Sequence, residues 1–188
     1  SFQKILNSIV KLKRTNQISI QIFISKIKAI GEKFNENENI DIIRFDSSVN
    51  IIQSNNNVGP FNGCSSLKKV LFDENSSLKT ISNHSFEKCS LLTEITIPSS
   101  VNSIEDHAFE DCSSLVEVLF EKPATITYIG SYAFKGCSSL ERIEIPSSVI
   151  KFGLSVFFGC SSLKYISLPP SINRYNIGLE NDIEVTKS

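Results

Sequence analysis

Cysteine, serine, histidine and lysine are the side chains of this chain that could do nucleophilic or metal chemistry. Ser65 and Ser161 each precede a lysine by three residues, the Ser-x-x-Lys spacing of some acyl-transfer nucleophiles. His84 and His107 could share a metal ion if the fold brought them together. These residues recur at a fixed interval, however, and a side chain that returns once per repeat is typical of packing and turns. We therefore expect no catalytic residue, no metal site, no cofactor and no enzyme activity.

One phrase, Phe-x-x-Cys-Ser-x-Leu-x-x-(Ile/Val)-x-(Ile/Leu/Phe), occurs five times. Its cysteines lie 25, 23, 25 and 23 residues apart, at Cys64, Cys89, Cys112, Cys137 and Cys160. A period in this range predicts a solenoid, in which near-identical coils stack and each contacts only its neighbours. Five cysteines at one repeat position do not fit a disulfide framework, so we expect a buried ladder of reduced thiols.

The residues of one coil predict short strands joined by turns. Ile95 and Ile97 alternate with Thr96, which predicts a strand with one buried face. Pro98 ends that strand because it has no N–H to donate. Asp106 precedes the next phenylalanine and is placed to cap a short helical turn. The chain is thus predicted to be an α/β-type repeat solenoid of short parallel strands, turns and short helical segments.

The two coil lengths differ only at one corner. The corners Phe72–Leu78 and Phe120–Ile126 advance six residues along the chain, whereas Ile97–Val101 and Ile145–Val149 advance four. Loops accept such insertions at low cost in free energy. We expect the corners to absorb the extra residues and the strand ladder to stay in register.

The repeat divides the chain into three parts. About five clear coils and one or two degenerate N-terminal coils predict a solenoid over residues 20–176. Residues 1–19 are then an N-terminal flank or cap, and residues 177–188 a C-terminal tail or the start of a further coil. An open solenoid end could associate with another molecule. The sequence has no methionine, so we expect a fragment or a processed product.

The stretch from Cys137-Ser138-Ser139-Leu140 through Ile145-Pro146-Ser147-Ser148-Val149 resembles the BspA-like, or treponeme-type, leucine-rich repeats. The resemblance is strong from Phe61 to Tyr175. The resemblance implies a leucine-rich-repeat fold. Proteins of the family that it resembles lie on the surfaces of bacteria and protists, and several of them resemble adhesins. A cell-surface or secreted location is therefore favoured, with a cytoplasmic assembly as the alternative.

The outward positions of the predicted strands are the candidate protein-binding residues. They vary from coil to coil while the inward positions hardly change, which is the pattern of a scaffold that presents a broad face. These positions are Lys69, Leu71, Glu94, Thr96, Glu117, Leu119, Arg142, Glu144, Tyr165 and Ser167. The plainer interpretation is a solvated sheet with cross-strand ion pairs, Lys69 with Glu94 and Glu117 with Arg142.

Two functions remain open on this evidence, a recognition or adhesion module that uses the strand residues and a structural scaffold that uses its ends. Another protein is the expected partner in both. The net charge of −1 argues against nucleic acid as a partner. The sequence contains no run of 18 apolar residues, so we do not expect direct membrane insertion. Sequons at Asn75 and Asn83 would be glycosylated only in a secreted chain.

Overall fold

The computed structural model describes residues 21–24, 29–30, 34–54, 58–174, 177–179 and 182–187. Outside these residues lie the predicted flank 1–19, Tyr175, and residue 176, where the solenoid was predicted to end. The described chain winds into a parallel β-solenoid of about six turns, and its strands form three sheets of five, six and three strands.

The longer strands form the first side of the solenoid. They are β1 (Gln21–Ile24), β3 (Ile42–Phe45), β5 (Lys69–Phe72), β7 (Glu94–Ile97), β9 (Glu117–Phe120), β11 (Arg142–Glu144), β13 (Tyr165–Leu168) and β14 (Glu184–Lys187). Two-residue strands form the second side. They are β2 (Ala29–Ile30), β4 (Ile51–Ile52), β6 (Thr80–Ile81), β8 (Ser103–Ile104), β10 (Tyr128–Ile129) and β12 (Lys151–Phe152). Inside β7, Ile95 and Ile97 are buried and Thr96 is exposed, as their alternation predicts.

The third side of each coil is built from turns, and the prediction of short helical segments is wrong. No α-helix occurs in the described residues. The N–H of Ala108 donates to Glu105 three residues back, at 3.3 Å, but the N–H of Phe109 donates across to Ala133 in the next coil, at 2.8 Å. Because alternate N–H groups leave the coil, the bonds of an α-helix cannot form. The positive φ of His107, 58°, also departs from helical backbone.

Asp106 acts between coils and does not cap a helical turn. Its Oδ1 accepts the backbone N–H of Ser131 in the next coil at 2.7 Å. Asn83, at the same position one coil earlier, accepts the N–H of Asp106 at 3.1 Å. Each side chain at this position therefore satisfies the amide of its neighbour in the stack.

Phenylalanines run through the core as one stacked column. Neighbouring rings lie 5.3–5.8 Å apart with interplanar angles of 2–10°. The column contains Phe61, Phe86, Phe109, Phe134 and Phe157, each no more than 1% exposed. Stacking of equivalent side chains at this spacing confirms the repeat phase read from the sequence.

A column of thiols lies beside the phenylalanines. All five cysteines are buried and free. Each Sγ lies 3.1–3.2 Å from the backbone carbonyl oxygen of a phenylalanine in the preceding coil. Burial raises the pKa of the Cys64 and Cys160 thiols to about 12, and it raises the pKa of the three thiols between them as well. The predicted burial of this ladder is confirmed.

The long strands keep the predicted register wherever they pair, with equivalent repeat positions side by side, but their ladder is interrupted at two places. Strands β3 and β5 pair at four positions, and so do β7 and β9. Strands β5 and β7 pair only at Lys69 and Glu94, and β9 does not pair with β11. Both interruptions follow a six-residue corner, while the sheet of short strands runs unbroken from β2 to β12. The extra corner residues are therefore accommodated by separating the long strands.

The last described strand extends the solenoid beyond β13. β14 pairs with β13 in parallel at four positions. Ile177 and Ile183 are buried, and the carbonyl of Ile177 accepts the N–H of Phe157 at 2.8 Å. The segment that carries no repeat phrase thus contributes side chains to the same core.

Candidate functional site

The ten candidate residues lie on the outward side of five long strands, and we call this surface the strand face. Each strand contributes two of them: β5 carries Lys69 and Leu71, β7 carries Glu94 and Thr96, β9 carries Glu117 and Leu119, β11 carries Arg142 and Glu144, and β13 carries Tyr165 and Ser167. Leu71 and Tyr165 are half-buried and Ser167 is buried, whereas the other seven are exposed. Ser167 therefore offers little surface to a partner.

One of the two predicted cross-strand ion pairs forms. Lys69 Nζ lies 3.1 Å from Glu94 Oε1, which confirms the first pair. The prediction that Glu117 pairs with Arg142 is wrong, because β9 and β11 are separated. Arg142 instead contacts Glu144 on its own strand at 2.5 Å, and its guanidinium lies 5.5 Å from the centre of the Tyr165 ring.

A groove divides the strand face where β9 and β11 separate. It has a volume of about 910 Å³. Its walls are the two strands, and the corner residues Lys122, Pro123 and Ala124 with Ser147 and Ser148 close one end. The ten candidate residues therefore form two surfaces, one on β5, β7 and β9 and one on β11 and β13.

A buried hydroxyl in this groove has no partner. Ser148 Oγ is buried and makes no hydrogen bond. At the same repeat position, Ser100 Oγ donates to the carbonyl oxygen of Leu78 in the preceding coil at 2.8 Å.

Three stacked rings form a polar ladder on the turn side, and the sequence analysis missed its contacts with two glutamates. His84, His107 and Tyr132 stack with ring centres 4.6 and 5.1 Å apart, which confirms that the three positions are equivalent. The Nδ1 of His84 lies 2.7 Å from Glu87, and the Nδ1 of His107 also contacts a carboxylate, that of Glu110. The signal for these contacts was the spacing of three residues, His-x-x-Glu, in two successive coils.

Ion pairs in this ladder hold Glu110 in its ionised form. Burial acts to raise the pKa of Glu110, but hydrogen bonds from Lys135 and His107 outweigh it and place the pKa below the usual range. Lys135 Nζ lies 2.6 Å from Glu110, and Lys88 Nζ lies 3.0 Å from Glu87. The carboxylates are thus engaged by cations of the protein itself.

The ladder does not assemble a metal centre. Across the described residues, no group of three or more His, Cys, Asp or Glu side chains is arranged to hold a metal ion. The serines of the two Ser-x-x-Lys motifs occupy the turn that follows each cysteine, and the lysines are exposed at the residue before the next strand begins. In that same part of the chain, no helix is long and apolar enough to cross a membrane.

Solved structures with the same architecture are bacterial proteins. The pneumococcal vaccine antigen PcpA superposes with a TM-score of 0.70 at 24% identity, over 82% of this chain and 42% of the antigen. A leucine-rich repeat protein of T. pallidum gives 0.57 at 20% identity, over 90% of this chain and 69% of that one. A leucine-rich cell surface protein of Faecalibacterium prausnitzii gives 0.52 at 27% identity, over 78% and 46%. The chain thus spans less than half the length of the first and third of these proteins.

None of the curated proteins compared with the chain is significantly similar to it. The model of the BspA type leucine-rich repeat region, however, matches six copies over residues 11–116 and 79–179. Proteins of this family and fold are generally recognition modules and are not catalytic. The match covers most of the chain and agrees with the cysteine and phenylalanine columns of the core, so the chain belongs to the BspA-type leucine-rich repeat family.

Proposed function

We propose that this chain is a non-catalytic module that binds another protein through the strand face, in the manner of an adhesin or recognition surface. The observation that carries the proposal is the exposure of chemically mixed side chains on the two adjoining sheets of the strand face. Leu119 is 48% exposed in the middle of the face, and Arg142 stacks against Tyr165 beside it. Arginine and tyrosine are the residue types that most often dominate protein interfaces.

The packing of the solenoid supports this use of the face. The inward side chains of the same strands are committed to the core, so the outward ones are free to change without loss of the fold. The ion pairs on the face lie in solvent, with side chains 47–63% exposed in the Lys69–Glu94 and Arg142–Glu144 pairs. Pairs of this kind contribute at most about 1 kcal/mol to stability, so they are available for exchange with a partner.

A surface location accompanies the proposal. The relative from F. prausnitzii is described as a cell surface protein, and a module that recognises external proteins belongs in that place. The alternative is a scaffold subunit of an intracellular assembly that makes contacts through its ends. These two functions predict different sensitive residues, so one set of variants separates them.

The test is capture of partner proteins by the immobilised chain, with mass spectrometry to identify them and a binding titration for each. The variant carries Glu94→Lys and Arg142→Glu, which reverse two exposed charges on opposite sides of the groove. Tyr165 is left intact because its hydroxyl bonds Thr186 of β14 at 2.8 Å. We expect the double variant to raise the Kd at least about tenfold, or about 1.4 kcal/mol, with an unchanged melting temperature.

The matched control carries Glu74→Lys and Lys79→Glu. Both residues are exposed and lie off the strand face, and the net charge stays the same as in the first variant. Glu110 and Lys135 are unsuitable as controls because they bond one another on the turn side. Equal capture by wild type and the strand-face variant, together with loss of capture when residues 177–188 are deleted, would favour the scaffold.

A further inference from the structure

Two Asn-x-Ser motifs offer acceptors for an N-linked glycan, and the fold treats them differently. They are Asn75-Ser76-Ser77, in the corner after β5, and Asn83-His84-Ser85, on the turn side of the same coil. A transferase that recognises this motif needs access to the asparagine amide and to the hydroxyl two residues later. Burial and hydrogen bonding of these groups therefore decide which motif the folded chain can present.

The corner that carries Asn75 is longer than its neighbours. The Phe72–Leu78 corner advances six residues, and the corners of the two adjacent coils advance four. Its backbone is anchored to the preceding coil by the N–H groups of Asp73 and Ser77, which donate at 2.9 and 3.1 Å. Residues 74 and 75 form a turn between these anchors and are exposed. The tip of the corner therefore lies in solvent.

The acceptor groups of the first motif are free in the folded chain. Asn75 is exposed, and its side chain makes no hydrogen bond to any residue that the structure describes. Ser77, which carries the hydroxyl of the motif, is exposed as well. The positive φ of Asn75, 59°, explains why the turn accepts an asparagine, since this residue tolerates the left-handed region better than most. The backbone conformation does not, however, call for a hydroxyl at Ser77.

The second motif is closed by the fold. Oδ1 of Asn83 accepts the N–H of Asp106 at 3.1 Å, so the side chain is held between two coils. Ser85 is 0% exposed, and its Oγ donates to the carbonyl oxygen of Ser82 at 2.6 Å. An enzyme could reach this hydroxyl only after the coil had opened. The same motif is thus presented at one position and hidden at the other.

We propose that Asn75 of the folded chain accepts an N-linked glycan and that Asn83 does not. The donor is an oligosaccharide carried on a lipid pyrophosphate. The Nδ2 atom attacks C1 of the first sugar, the bond from C1 to the pyrophosphate oxygen breaks, and Nδ2 loses one proton to a base of the transferase. The lipid pyrophosphate leaves, and no oxidant or reductant is consumed. The modification rests on the surface location that accompanies the proposed function, because such glycans lie on the surfaces of secreted chains.

A glycan on Asn75 is compatible with protein binding by the strand face. Asn75 follows the end of β5 at Phe72, in a corner to which none of the ten strand-face residues belongs. Attachment replaces one N–H of a side-chain amide that has no partner in the described part of the chain, so it removes no internal hydrogen bond. We therefore expect the glycosylated and the unmodified chain to have the same melting temperature.

The experiment incubates the purified, folded 188-residue chain with a eukaryotic oligosaccharyltransferase and a lipid-pyrophosphate-linked oligosaccharide. Mass spectrometry of the intact chain counts the attached glycans, and proteolytic peptides locate them. Synthetic peptides of residues 70–80 and 79–88, one for each motif, serve as unfolded acceptors. We expect both peptides to be glycosylated, whereas the folded chain gains one glycan, at Asn75.

Three variants separate a glycan acceptor from a residue that only serves the turn. Ser77→Ala keeps Asn75 but removes the hydroxyl of the motif, so we expect glycan transfer to be lost and the melting temperature to stay the same. Ser77→Thr keeps a hydroxyl at this position and should be glycosylated like wild type. Asn75→Asp also tolerates a positive φ, so it should fold normally without accepting a glycan.

The proposal is overturned if the folded chain is not glycosylated at Asn75, or if it is modified at Asn83 as readily as at Asn75. It is also overturned if the peptide of residues 70–80 is no acceptor, or if Ser77→Ala is glycosylated like wild type. Capture of a partner protein is measured on the unmodified chain and uses no transferase. Failure of glycan transfer and failure of protein binding by the strand face are therefore separate results.

Discussion

Cys112 donates its thiol to the backbone carbonyl of Phe86, with Sγ 3.1 Å from the oxygen in the preceding coil. The two residues join the cysteine column to the phenylalanine column, and the same contact recurs at every coil from Cys64 to Cys160. The carbonyl of Phe86 also accepts the N–H of Cys89 within its own turn at 3.2 Å, so the small, buried thiol is a second donor to the same oxygen. The thiols are therefore structural groups, and their chemistry should reflect that.

The first prediction concerns thiol reactivity. Since the thiolate is the reactive form and burial raises the pKa of all five thiols, the native protein should react with a disulfide reagent such as DTNB only as fast as it unfolds. In denaturant, five thiols should react at once. Fewer than five thiols in the denatured, unreduced protein would show that disulfides form.

The second prediction is a loss of stability at alkaline pH. The pKa of Cys64 rises from 9.0 to about 12 in the folded chain, and burial raises the other four thiol pKa values in the same direction. A raised pKa means that the folded chain keeps protons that the unfolded chain releases. The stabilisation is fully present below pH 9 and is lost as the pH rises from about 9 towards 12.

Each such thiol should steepen this decline by up to about 1.4 kcal/mol per pH unit. Urea unfolding at pH 7, 9 and 10 measures it. The Cys112→Ala variant provides the control, since it removes one of the five thiols and should decline less steeply above pH 9. A free energy of unfolding that stays constant up to pH 10 would contradict the prediction.

The third prediction compares two phenylalanines. Phe109 stacks in the middle of the column and is 0% exposed, whereas Phe158 is 59% exposed on the turn side. Phe109→Ala should therefore lower the free energy of unfolding by about 3–5 kcal/mol, and Phe158→Ala by no more than about 0.5 kcal/mol. Equal losses in urea titrations would show that the assigned repeat phase is wrong.

The sequence predicts those features that depend only on equivalent positions. The stacks of Phe109 and Cys112 with their counterparts follow from the period, because coils that stack place equal positions side by side. The stacking of His84 on His107 follows for the same reason. Alternation also places Thr96 outward and Ile95 inward without reference to neighbouring coils.

Features that depend on how unequal coils meet were not predictable in this way. The pairing of Glu117 with Arg142 assumed adjacent strands, but the six-residue corner before Ile126 separates β9 from β11. The groove lined by both strands follows from that separation. The prediction of a helical turn at Asp106 was wrong for a similar reason. The sequence of this stretch does not show whether its N–H groups bond within the coil, as in a helix, or across to the next coil.

The last prediction concerns β14. It pairs with β13 at four positions, and the tail buries Ile177 and Ile183 against the end of the core. Deleting residues 177–188 removes these contacts and exposes the backbone edge of β13 together with apolar side chains near Phe157. Exposed parallel edges pair readily with other chains, so the deletion should lower the urea midpoint and produce dimers or larger species in light scattering after gel filtration.

Tyr165→Phe is the matched control, since it removes only the hydroxyl bond to Thr186. This variant should lower the free energy of unfolding by about 1 kcal/mol while the protein stays monomeric. A deletion product that is monomeric and as stable as the full chain would mean that β14 does not cover the end of this solenoid.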